Sequence, residues 1–257
     1  MALNSFQKTH IQEVITSCVH NKLKKYKPES DHMPFHHALL GKDRMQVYSF
    51  IHSLSTTFGS SIFEPVAIAL SQNTFHLAQT QLVVGNEISE YAQREIQQII
   101  NELSVGGQPD KQTEVERIRS VCQKGAMQKL RTVKVDLCLT DINEGIHLFD
   151  LKTVKPNTSN FKDFKRTLLE WVAIILAQNP TAIVHSYIAI PYNPYHPKPY
   201  QRWTMKGMID LPQELKVAEE FWDYLGNEGA YDDLLTCFEL VGLELQREIE
   251  ARFKQFG

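Results

Sequence analysis

At 257 residues, 42% of them hydrophobic, the chain is long enough for one large domain with a sizeable core. Its four cysteines, Cys18, Cys122, Cys138 and Cys237, are scattered without a CxxC pair. That argues against a disulfide framework or a cysteine-rich zinc site and fits a reducing compartment. The formal charge of −3 hides an asymmetry: residues 210–250 hold 12 acidic against two basic side chains, so the rest of the chain is net basic.

With no N-terminal signal region and no run of 18 apolar residues, the expectation is a soluble cytoplasmic protein without membrane association. Residues 4–25 place Ile11, Val14, Ile15 and Val19 at helical spacing and end in Lys22, Lys24 and Lys25. This is an amphipathic helix whose terminal cations suit the helix dipole. Pro28 to Gly41 is expected as loop. It holds Asp31, His32, His36 and His37, but no cysteine or further carboxylate at ligand spacing, which argues against zinc.

Met45 to Ser71 is helical in pattern, broken near Gly59 and Pro65, with Glu64 inside the apolar run IFEPVAIAL. A carboxylate there is either a helix-start charge or an inward-facing active-site group, and the following proline biases it toward an element boundary. Ile88 to Leu103 is a second amphipathic helix, ended by Gly106, Gly107 and Pro109. Thr113 is a candidate cap for another helix running to about Gln123.

Val133 to Thr153 is the most informative stretch. Val133, Val135, Leu137 and Leu139 alternate with polar positions, and after a five-residue loop, Asp141 to Gly145, Ile146, Leu148, Asp150 and Lys152 share one face. Pairing Thr140 with Ile146 puts Asp136 opposite Asp150, with Cβ atoms ~5 Å apart, where like charges are unfavourable unless a cation offsets them. Oxygen donors of this kind suit Mg²⁺. Asp136 and Asp150 can supply metal ligands, the Leu151 carbonyl another, and Lys152 can hold the attacking water or offset charge on the transition-state phosphorane. The bland alternative is a surface hairpin with paired charges.

Phe161 to Leu176 is then expected as a helix, Ile183 to Ile190 as a buried strand and Trp203 to Leu211 as a further short strand. Pro212 to Leu225 and Asp232 to Phe253 are expected as acidic helices. The order strand, strand, helix, strand predicts an α/β core, a mixed β-sheet flanked by helices. The expected organisation is a single domain over 1–257, with a helical part over 1–125, the catalytic core over 126–211 and acidic C-terminal helices over 212–257. Lys155, Asn157, Lys162, Lys165 and Arg166 follow the hairpin and are candidates for phosphate contacts, the alternative being a solvated helix face. Arg202 and Lys206, on a segment stiffened by prolines and tyrosines, are candidates for DNA contact, Arg202 for base readout.

At Asp136, Asp150 and Lys152 the sequence resembles the PD-(D/E)xK nuclease superfamily, with Val135 in place of the proline. The resemblance implies that superfamily's core and assigns Glu64 to the acidic residue of an early helix. The strings SFIHSLSTTFGSSIFEPVA, KTVKPN, NFKDFKRTLLEW, YIAIPYNPYHPKPYQRWTMKGMIDL and EEFWDYLG resemble a family of bacterial type II restriction endonucleases, from about Tyr48 to the C-terminus. This implies Mg²⁺-dependent cleavage of double-stranded DNA at a short palindrome of GGNCC type, by a homodimer with a cognate methyltransferase as genetic partner. The competing expectations are a structure-specific or repair nuclease on the same core, and a non-catalytic DNA-binding protein.

Overall fold

The computed structural model describes residues 2–26, 33–131, 134–152, 155, 160–201, 205 and 207–254. By contacts the chain forms two compact units, residues 1–70 with 228–257, and residues 71–227. The sequence-based division at 125 and 211 cuts across the second of these. Among the described residues, no helix is long and apolar enough to cross a membrane.

In the first unit, α1 (Ser5–Lys25) starts with a reciprocal cap. Asn4 Oδ1 accepts from the Gln7 N–H, and the Gln7 side chain accepts from the Asn4 N–H. It packs along α10 (Ala230–Lys254), where Lys8 Nζ meets Asp233 Oδ1 at 2.6 Å. Between them in sequence come α2 (Pro34–Leu40) and α3 (Lys42–Thr57), a π-helical turn at Phe58–Phe63 and α4 (Glu64–Ser71). The loop expected across Pro28 to Gly41 is therefore partly helical. Pro34 opens α2, where a missing N–H costs nothing, and carries His36 and His37 into it. Asp31 and His32 lie outside the described residues. The break expected near Gly59 is the π-helical turn, and Pro65 sits in the first turn of α4.

The second unit is built on a five-stranded sheet in the order β1 (Leu77–Leu82), β4 (Val135–Thr140), β5 (Ile146–Leu151), β6 (Val184–Ile190) and β7 (Leu215–Val217). The first three strands are antiparallel neighbours, and β5, β6 and β7 run parallel. The fold is thus a mixed α/β sheet flanked by helices, as expected. A separate ribbon pairs β2 (Glu87–Ser89) with β3 (Met127–Lys129). The core lies between one sheet face and three helices, α5 (Glu90–Ser104), α6 (Lys111–Arg119) and α7 (Phe161–Gln178). Leu148, Ile188 and Ile190 from the sheet meet Leu168, Trp171 and Val172 from α7. Gly85 permits close approach there: a Cβ on it would stand 2.6 Å from Ile174 Cγ2, and its φ of +146° is accessible to glycine.

Three further details depart from the sequence expectations. β1 and β7 are strands that were not expected, and β7 interrupts the helix expected over Pro212 to Leu225, leaving α8 (Leu211–Glu214) and α9 (Glu219–Gly226) on either side. The described part of Trp203 to Leu211 forms no strand. The cap of α6 is Asp110, whose carboxylate accepts from both the N–H and the hydroxyl of Thr113, so Thr113 is inside the helix. Val133 and Thr153, the ends of the hairpin stretch, lie outside the described residues.

Lys165 departs furthest from expectation. It was expected to face phosphates, but it is fully buried, with Nζ 2.5 Å from Glu114 Oε2 and 2.6 Å from Glu214 Oε2. Lys111 completes the cluster, donating to Glu214 Oε1 at 2.9 Å and to the Ser186 hydroxyl at 2.6 Å. Burial works to raise the Glu214 pKa, but Lys111 and Lys165 beside it bring the carboxyl below its ordinary range. Glu114, whose oxygens make no well-directed hydrogen bond, has its pKa raised by burial. Removing one partner of such a set strands a buried charge, so Lys165→Ala should cost about 3–5 kcal/mol. Thermal or urea unfolding of the variant checks this, and a loss below about 1 kcal/mol would mean that the cluster relaxes or hydrates.

Candidate active site

The hairpin folds around Asp141. Its Oδ1 accepts the N–H groups of Asn143 and Gly145, its Oδ2 contacts His147 Nε2 at 2.9 Å, and Glu144 takes a left-handed conformation at φ +63°. The loop is the expected Asp141 to Gly145. The register is the expected one too, with Thr140 opposite Ile146 and Leu137 opposite Phe149. His147 is fixed from its other nitrogen by the Tyr224 hydroxyl at 2.7 Å and stacks on His185 of β6. These contacts lie on the sheet face away from α7 and stiffen β5 from behind.

The ladder stops one step before the two aspartates. The Asp141 N–H bonds to the Gly145 carbonyl, which sets the alternation of hydrogen-bonded pairs. A continued ladder would take the Leu151 N–H to the backbone of Val135. Instead Asp136 Oδ2 accepts the Leu151 N–H at 2.9 Å. Asp136 is therefore seated on the peptide that follows Asp150.

Asp150 is buried, and its Oδ1 lies 2.5 Å from Lys152 Nζ. The Lys152 ammonium stands 4.8 Å from the centroid of the Phe164 ring on α7, and its backbone N–H donates to Ala189 of β6. Parallel pairing with β6 thus carries β5 to Lys152, and the first turn of α7 closes over the lysine. Asp136, Asp150, Leu151 and Lys152 come together at one end of the sheet. Gln81 of β1 joins them, donating from Nε2 to Asp136 Oδ1 at 3.2 Å. Among the described residues there is no group of three His, Cys, Asp or Glu side chains that could hold a metal. The two carboxylates and the strand carbonyl brought together here are hard oxygen donors. Mg²⁺ is commonly held by one or two carboxylates of this kind.

Comparison with known proteins decides the class. Residues 3–242 match the family described as type II restriction endonuclease, HinfI. The chain belongs to this family. Two relatives from Herpetosiphon aurantiacus are named type II restriction enzymes. HgiCII is 25% identical over 87% of this chain and 82% of its own length, and HgiEI is 25% identical over 99% of this chain and all of its own. The type II restriction enzyme MjaII of Methanocaldococcus jannaschii is 30% identical over 76% of this chain and 58% of its own length. The chain is a site-specific deoxyribonuclease, and its macromolecular substrate is DNA.

The other sequence candidates of this type II endonuclease distribute unevenly. Glu64 opens α4 in the first compact unit and is buried. Lys155 is exposed and stands over the Tyr195 ring at 5.4 Å, which joins the segment after the hairpin to the proline–tyrosine segment. Lys162 is exposed on α7. Arg166 is half-buried and donates to Gln97 of α5 at 2.8 Å. Lys165 cannot touch a phosphate from its buried ion pairs. Asn157, Arg202 and Lys206 lie outside the described residues. Gln81 and Phe164 were missed as site residues. For Gln81 the available signal was the weak alternation of LAQTQL, and for Phe164 its place one turn into the helix that follows the DLK motif.

Proposed function

We propose that this endonuclease cleaves both strands of a short palindromic duplex as a homodimer, using Mg²⁺ held at Asp136 and Asp150. The observation that carries the proposal is the seating of Asp136 on the Leu151 N–H, beside an Asp150 whose carboxylate holds Lys152. In an extended residue the N–H and C=O project to the same side of the strand, so the Leu151 carbonyl is directed toward the edge where Asp136 lies. Asp136, Asp150 and this carbonyl would hold the ion. When bound, it supplies charge to the phosphate and acidity to a water molecule.

The rest of the work falls to the chain's own side chains. Asp150 keeps Lys152 at the carboxylate pair, and the Phe164 face supports the ammonium from the other side. Lys152 orients the attacking water and offsets negative charge as the phosphorane forms. Lys155, Lys162 and Arg166 contact phosphates, together with Asn157. Arg202 and Lys206 supply contacts from the proline–tyrosine segment, Arg202 to bases. A two-fold homodimer matches a palindrome and presents one site to each strand. Such an enzyme works in the cytoplasm beside a cognate methyltransferase, and the target is of GGNCC type.

The function is tested by digesting unmethylated phage DNA with Mg²⁺ and sequencing the fragment ends. A single short palindrome at every end is expected. Cutting of branched DNA regardless of sequence would overturn the proposal, and binding without cutting would make the protein non-catalytic. Asp150→Ala and Lys152→Ala should each lower the cleavage rate by about a hundredfold or more, the scale of a lost charge-stabilising group, while specific binding in Ca²⁺ persists. Wild-type rates in either variant would remove the assignment. Glu64→Gln should slow cleavage at an unchanged melting temperature if Glu64 is a further metal-site carboxylate. An unchanged rate with lost stability would make it a folding residue.

A further inference from the structure

We infer that Gln81, on the edge strand β1, is a positioning residue that fixes the Asp136 carboxylate in its metal-binding orientation. The inference rests on the assignment of Asp136 as a metal ligand made above.

The Asp136 carboxylate is held from both neighbouring strands. Oδ2 takes the Leu151 N–H of β5 at 2.9 Å, and Oδ1 takes the Gln81 amide of β1 at 3.2 Å. The two contacts hold different oxygens and together restrain the plane of the carboxylate. An amide is suited to this task because it donates without bringing a full positive charge, so it orients the ligand and leaves its negative charge available to a cation. A lysine in the same place would compete with the ion.

The backbone gives a second and independent indication. Gln81 has φ +54°, a left-handed conformation that a residue with a Cβ rarely adopts. Its neighbours are ordinary strand residues: Thr80 pairs with Leu137 and Leu82 with Val135, the two residues that flank Asp136. The distortion is confined to the residue whose side chain reaches Asp136. Gln81 is also exposed, so burial of its side chain does not account for the strain. Unfavourable backbone conformations of this kind gather at functional sites, where surrounding structure holds them.

The test is Mn²⁺ binding measured by isothermal titration on the intact DNA-free protein, alongside melting temperature, so no cleavage rate enters. Gln81→Leu removes the amide, and Gln81→Gly removes it while accepting φ +54° without strain. Both should weaken Mn²⁺ binding by about tenfold or more, the scale seen when a partner that orients a metal ligand is lost. Gln81→Gly should melt no lower than wild type. Wild-type affinity in both Gln81 variants, with affinity lost in Asp136→Asn, would overturn the role of Gln81 and leave Asp136 as ligand. A Gln81→Gly protein that loses affinity and melting temperature together would make the residue structural. Wild-type affinity in Asp136→Asn would remove the ligand assignment and this inference with it.

Discussion

The site depends on one hydrogen bond, from the Leu151 N–H to the Asp136 carboxylate. It falls where the β4–β5 ladder would have placed a backbone acceptor, and it replaces that acceptor with a charged side chain. The exchange serves two ends. It satisfies the Leu151 donor where the ladder has ended, and it brings a carboxylate to the peptide beside Asp150. Two like charges opposed across a ladder would be unfavourable. The Leu151 N–H on Asp136 and the Lys152 ammonium on Asp150 each offset part of that charge.

Around that bond the fold supplies stiffness from three directions. Parallel pairing with β6 continues through Asp150 and Leu151, so the active end of β5 is held as firmly as its middle. On the face away from α7, the chain from Asp141 through His147 to Tyr224 locks β5 by polar contacts inside an aromatic cluster with Phe149 and Tyr187. On the other face α7 brings Phe164 to Lys152 and, one residue later, turns Lys165 into the buried cluster with Glu114 and Glu214.

How much of this could be read from the chain follows from how local each signal is. The hairpin, its five-residue loop and its register were legible because alternation over Val135 to Leu151 and a turn containing Gly145 are local patterns. So were α7 and β6. The edge strands β1 and β7 were not. LAQTQL has few strong β-formers, and Leu215–Val217 lies inside a run with helical spacing, so tertiary pairing with β4 and β6 decides both. Lys165 was misplaced for the same reason. A lysine on a predicted helix near a nuclease motif looks like a phosphate contact, and only its burial against Glu114 and Glu214, each about 50 residues away in sequence, reverses that.

The position of Lys165 also bears on Lys152. Successive residues on a helix point about 100° apart, so the rotation that buries Lys165 between two glutamates fixes where Phe164 points. Phe164 in turn stands over the Lys152 ammonium. The buried ion pairs therefore add direction to the apolar packing of α7, a use of buried charge for specificity more than for net stability. A hydrophobic residue at position 165 could fill the space, but it would lose the directed ion pairs to Glu114 and Glu214 that act together with the packing of Leu168, Trp171 and Val172 in orienting the helix.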